Sequence, residues 1–158
     1  MNAPPSDFQI PEGFVAFPIG DGYADLIGPL YVKIADGDCS IGFRVEARHC
    51  NPAGICHGGM LMSVMDMALG MGASVMGKIE KFLPSMNLTH DFIQPGQKGD
   101  WIYSKVDFVE PKRRFVFANG YLIGSNGPVL RANGIMKIPS DNNPTFQFKT
   151  AKPITDKL

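Results

Sequence analysis

The sequence predicts an α+β fold, an antiparallel β-sheet wrapped around one long central α-helix, and three observations predict it. Residues Gly58 to Gly77 form an apolar stretch with a single charge, Asp66, in its middle. After Pro84 the pattern turns to strands and stays there, with four β-rich runs separated by short turns. Consecutive strands joined so tightly make an antiparallel sheet, and a helix that is apolar nearly all the way round must be enclosed.

Residues 1 to 13 hold three prolines and read as a loose leader, and Phe14 to Leu26 mixes apolar and small residues that suit a short docked element. Leu30 to Ile34 and Ser40 to Ala47 are strands on either side of the turn Asp36-Gly37-Asp38. In the second, Ile41, Phe43 and Val45 alternate with Gly42, Arg44 and Glu46, the period of a half-buried strand. Asn51-Pro52-Ala53-Gly54 is a turn, and the Met, Leu and Ala that follow carry a helix from Gly58 to Met76. Ser85 to Gln94, Asp100 to Val109, Phe115 to Gly124 and Val129 to Ile138 are the later strands, divided by Pro95-Gly96, Glu110-Pro111 and Ser125-Asn126-Gly127. The expected organisation is therefore a leader over 1–28, one folded domain over 29–138 and a polar, proline-punctuated tail over 139–158.

Composition narrows the function. At 158 residues, 44% hydrophobic and 19% charged, the chain is one globular domain that can bury its own core. Zero formal net charge removes the basic field that a nucleic-acid partner would need. Cys39, Cys50 and Cys56 are an odd set, which argues against a disulfide framework and for a reducing, cytoplasmic setting; no basic, apolar signal segment opens the chain. Asp66 and several glycines inside the apolar stretch speak against a membrane span.

The chemistry gathers at the start of the helix. In His57-Gly58-Gly59 the first helical turn offers backbone N–H groups with no intrahelical partner, at the positive end of the helix dipole. Glycine removes the Cβ that would hold a ligand away, so the turn suits a developing oxyanion; the plainer account is a tight turn against the sheet. Asp66 is the only ionisable residue between His57 and Lys78. Burying a carboxylate costs several kcal/mol, so it is a candidate base or nucleophile, against the alternative of a structural hydrogen bond. Gly59 and Asp66 stand on one helix face but about 10 Å apart along the axis, too far to act on one carbonyl. Two antiparallel helices across a two-fold axis would bring each acid to the other's glycines.

Together these residues resemble a known family. Asn51-x-x-Gly54-x-x-His57-Gly58-Gly59 with Asp66, the run from Met86 to Pro95 and the hairpin from Gly127 to Gly134 are similar to the PaaI-type acyl-CoA thioesterases of the hotdog superfamily, over Leu30 to Ile138. The resemblance implies a hotdog fold, a homodimer or dimer of dimers, and active sites between subunits. It implies that Gly58 and Gly59 lie where a backbone N–H polarises the thioester carbonyl, and that Asp66 is nucleophile or general base. It further implies that Asn51 orients substrate or water and that His57 is a positioning strut. Some relatives place a Ser or Thr on the strand after the helix; here Leu83 stands at that position and Ser85, two residues on, is the candidate substitute.

Coenzyme A enters as part of an acyl-CoA substrate, so no separate cofactor is expected. Lys112, Arg113, Arg114 and Arg131 are the candidate phosphate contacts, unless the cluster is a solvated turn. Met62, Met65, Met67 and Leu69 are acyl-pocket candidates or plain core. A zinc site at His49, Cys50, Cys56 and His57 has the wrong spacing, and a Cys56–His57 dyad lacks an orienting third group. The rival functions are a non-catalytic acyl-CoA-binding regulator or carrier, and a dehydratase, whose acid–histidine motif is missing.

Overall fold

The computed structural model describes residues 9–17, 22–79 and 81–140. In chain order the elements are β1 (Val15–Ala16), α1 (Tyr23–Ile27), β2 (Tyr31–Ala35), β3 (Asp38–Arg44), α2 (Gly58–Met76), β4 (Ser85–Phe92), β5 (Trp101–Lys112), β6 (Phe115–Gly124) and β7 (Gly127–Lys137), with a 3-10 turn at Ala47–His49. The seven strands form one antiparallel sheet in the order β1-β2-β3-β5-β6-β7-β4, and α2 lies in its concavity. This is the predicted α+β architecture. The tail expected over 139–158 falls outside the described residues from 141 onward.

Turn chemistry sets the register. Asp36 (φ 54) and Gly37 (φ 82) both occupy left-handed backbone, the two-residue hairpin turn whose twist matches its strands. The β5–β6 junction departs from expectation. Glu110-Pro111 does not end the strand; Pro111 pairs with Val116, and the turn is Arg113-Arg114 with Arg113 at φ 49. Proline is tolerated at strand positions whose N–H the ladder does not need. Within the segment expected as a leader, β1 pairs with β2 and α1 reaches α2 through Tyr23.

The core is α2 against the inner faces of the strands. Met60, Leu61, Val64, Met65, Ala68, Leu69 and Ala73 meet Ile41, Phe43, Ile102, Val116, Leu122, Leu130 and Met136, all buried. Each large side chain so buried contributes about 1.5–3 kcal/mol. Gly72 lets helix and sheet approach: a Cβ there would sit 2.6 Å from Val106.

The helix is not enclosed all round, as its composition suggested. One chain's sheet covers one side. On the other, Met62 is 41% exposed, and Ser63, Asp66, Met67, Gly70 and Met71 are partly exposed. Beside this open face runs β4, the terminal strand of the sheet, with Met86 and Phe92 exposed. By length and composition α2 would also suit a membrane span, but its buried face is packed on the sheet.

Candidate active site

A short cross-linked loop delivers the chain to α2. Asn51 organises it: its Oδ1 accepts from Ala53 N–H (3.0 Å), its N–H donates to Ile55 O (2.9 Å), and its carbonyl accepts from Gly54 N–H (2.9 Å). This is the Asx turn that Asn-Pro favours. Beyond it, Cys56 N–H donates to Gly96 O (2.8 Å) and His57 N–H to His49 O (2.7 Å). His49 is buried, its ring edge-on to Phe43, and burial pulls its pKa below the ordinary value.

His57 caps the helix. Its Nδ1 accepts from Gly59 N–H at 2.8 Å, and its carbonyl accepts from Met60 and Leu61. The imidazole thus braces the first helical turn. Of the two glycine N–H groups expected at the carbonyl, that of Gly59 donates to the cap. The first-turn donor without a partner among the described residues is the N–H of Gly58. A Cβ at Gly58 would lie 3.0 Å from the Phe92 ring, so glycine keeps this approach open.

Asp66 stands on the open face, partly buried, and Ser85 Oγ donates to its Oδ1 at 2.5 Å. The substitute hydroxyl is thus on the acid, while Leu83 is buried in the core. His90, which sequence reasoning passed over, projects from the same side of β4. Burial lowers its pKa while the Asp66 charge raises it, and its buried Nε2 has no partner among the described residues. The only signal for it in the sequence was a polar residue at an inward position of an alternating strand.

From Gly58 to Asp66 is about 12 Å along the helix at 1.5 Å per residue. Donor and acid share the helix but not a reaction centre within one chain. The methionines divide: Met65 and Leu69 are fully buried core, whereas Met62 and Met67 reach the open face.

The expected phosphate contacts are dispersed. Lys112, Arg113 and Arg114 occupy the β5–β6 turn, close to the C-terminal end of α2, where Pro111 lies beside Gly77. Lys112 is ion-paired with Glu110. Arg131, on β7, is held by Asp91 of β4 at 2.7 and 3.1 Å. A different cation borders the helix start: Arg48, paired with Glu46 (3.1 Å), lines a cleft of about 450 Å³ with Tyr23, His57, Gly59, Met60 and Ser63. Tyr23 Oη and Ser63 Oγ are 2.7 Å apart, fastening α1 beside that cleft. Among the described residues no group of three or more His, Cys, Asp or Glu is placed to hold a metal.

Comparison with known proteins converges on one group. The profile of the thioesterase superfamily matches residues 53–120, which include the helix start and Asp66. A candidate esterase of Pseudomonas aeruginosa is 28% identical over 134 residues, 83% of this chain and 98% of that protein. Among solved structures, the E. coli PaaI protein of the phenylacetic acid degradation operon superposes with a TM-score of 0.65 at 20% identity, over 74% of this chain and 83% of that one. A hypothetical thioesterase from Streptococcus pneumoniae, solved with coenzyme A, gives 0.63 at 18%, over 72% and 91%. Zebrafish thioesterase superfamily member 2 gives 0.65 at 21%, over 77% and 89%. At such identities the structural likeness shows the fold, the hotdog arrangement expected from the resemblance.

Proposed function

From the match to the thioesterase superfamily over residues 53–120 and the hotdog fold, we propose that this chain hydrolyses acyl-CoA thioesters to free acid and coenzyme A at sites shared by two copies of the chain. The observation that carries this reading is the pairing of complementary groups on the uncovered side of α2. An N–H at Gly58 with no partner among the described residues opens the helix, and a carboxylate steadied by Ser85 sits two turns on. Within one chain the two stand about 12 Å apart along the helix, too far to act on one carbonyl. A second copy packed antiparallel on this face would set its Asp66 beside Gly58, and would bury Met62 and Met67.

In that arrangement the thioester carbonyl oxygen rests on Gly58 N–H, which stabilises the negative charge that grows there on attack. The partner copy's carboxylate takes a proton from water, or attacks directly to form a mixed anhydride that water then opens. The tetrahedral charge collapses and the C–S bond breaks, releasing coenzyme A thiolate. Asn51 and His57 hold the loop and the first helical turn in place. Arg48 borders this mouth and is better placed for the pantetheine-phosphate end than the β5–β6 turn of the same chain; Lys112, Arg113, Arg114 and Arg131 remain contacts available from a neighbouring copy. The test is thiol release from a panel of acyl-CoAs by wild type and Asp66→Asn. Equal rates for the two proteins would sink the mechanism, and acyl-CoA binding without thiol release by wild type would make the chain a regulator or carrier instead.

A further inference from the structure

The loop that leads into α2 is closed by an isolated antiparallel bridge between Cys50 and Cys56. The hydrogen bonds flanking it, Asn51 N–H to Ile55 O (2.9 Å) and His57 N–H to His49 O (2.7 Å), belong to the neighbouring residues, not to the cysteines. The two cysteines therefore occupy a non-hydrogen-bonded pair, where Cα atoms stand about 4.5 Å apart and side chains point to the same side. That separation lies at the short end of the range a disulfide spans, about 4.4–6.8 Å. Both side chains turn toward the core, Cys56 buried and Cys50 half-buried against it. Each thiol makes one long contact to a carbonyl, Cys50 to Glu46 (3.3 Å) and Cys56 to His57 (3.9 Å), which a covalent bond would readily replace.

We propose that Cys50 and Cys56 are a disulfide-forming site, oxidised by low-molecular-weight disulfides, whose closure locks the Asn51 loop onto the start of α2. The sulfurs have distinct roles. Cys56 is held as a thiol, its pKa pushed up to about 12 by burial and by the neighbouring Cys50. Cys50, the more accessible sulfur, attacks one sulfur of the small disulfide as thiolate, breaking its S–S bond and releasing one small thiolate. Cys56 then gives up its proton and attacks the mixed disulfide at the Cys50 sulfur, releasing the second small thiol. The protein loses two protons and two electrons, and the oxidant takes them up to become two thiols. The bond closes a ring over residues 50–56, carrying Asn51 and abutting His57, so it constrains the segment that presents Gly58. The covalent step does not depend on the thioesterase reading.

The folded protein is incubated with glutathione disulfide, acid-quenched, unfolded and alkylated, then digested with trypsin. Cys50 and Cys56 fall on one peptide, 49–78, and Cys39 on another, 34–44. The expected result is a 49–78 peptide two hydrogens lighter and unalkylated at both cysteines, with Cys39 alkylated and full reversal by dithiothreitol. A melting temperature higher by about 5 °C in the oxidised protein is expected from a ring of this size. Cys50→Ser and Cys56→Ser each abolish the mass loss. The proposal is overturned if Cys50 stops as the glutathione adduct while Cys56 stays alkylatable, if the link joins Cys39 or a second chain, or if only the urea-unfolded chain closes the ring.

Discussion

The two faces of α2 obey different rules. On the sheet side, Val64, Met65, Ala68 and Leu69 are fully buried, and what matters is shape and volume. On the open side, Met62, Ser63, Asp66 and Gly70 are partly exposed, and Asp66 is tied to a hydroxyl of the terminal strand. One face holds the fold together, while the other carries a charge whose burial costs free energy unless something is gained by it. Substitutions on the two faces should therefore separate stability from turnover.

The largest separation is expected from Asp66→Asn, which keeps shape and removes charge. Thiol release should fall by about 10³-fold or more, a loss typical of removing a reacting group, with the thermal midpoint nearly unchanged. A comparable fall in stability would mean that the carboxylate is structural. The mirror experiment is Leu69→Ala on the sheet face: about 2–5 kcal/mol of stability lost in urea unfolding, with kcat of the remaining folded protein close to wild type. Gly58→Ala tests the end of the helix, since the added methyl meets the Phe92 ring. Steady-state kinetics should show kcat/KM reduced by up to about 100-fold, the low end of the loss seen when an oxyanion donor is removed outright.

Ser85→Ala removes a donor that holds the Asp66 carboxylate in place and should lower kcat several-fold, with KM and the thermal midpoint nearly unchanged. An unchanged kcat would reduce Ser85 to packing. The smallest effect belongs to His49, away from both faces. Its folded pKa lies below the ordinary 6.5, so the unfolded chain takes up the proton first as pH drops. Its contribution to stability is complete above pH 6.5 and shrinks as pH falls from there toward the depressed folded value. Urea unfolding at pH 7.5 and 5.5 should show this loss, and His49→Asn, which keeps an acceptor for the Glu46 N–H, should flatten the slope.

Much of this contrast could be read from the residues alone. The bounds of α2 followed from His57-Gly58-Gly59 before it and Gly77 after it, and Asp66 stood out because nothing around it was charged. The end of β5 was misplaced because Pro111 reads as a breaker, whereas its position in the ladder tolerates a missing N–H. Which glycine N–H the cap takes up could not be seen, since it depends on the direction of the His57 ring. The openness of one helix face was equally hidden. Composition reports that Met62 and Met67 are apolar, not whether one chain has sheet enough to cover them.

The position of β4 at the end of the strand order has a consequence for any assay. Its outer backbone edge, flanked by Met86, Phe92 and Ile93, is a template for another strand, and it runs alongside the acid it supports. If docking at this edge completes the reaction centre, turnover per chain is not constant. Serial dilution should lower specific activity along a mass-action curve, and titrating in an Asp66→Asn chain that still docks should quench wild type by forming mixed pairs.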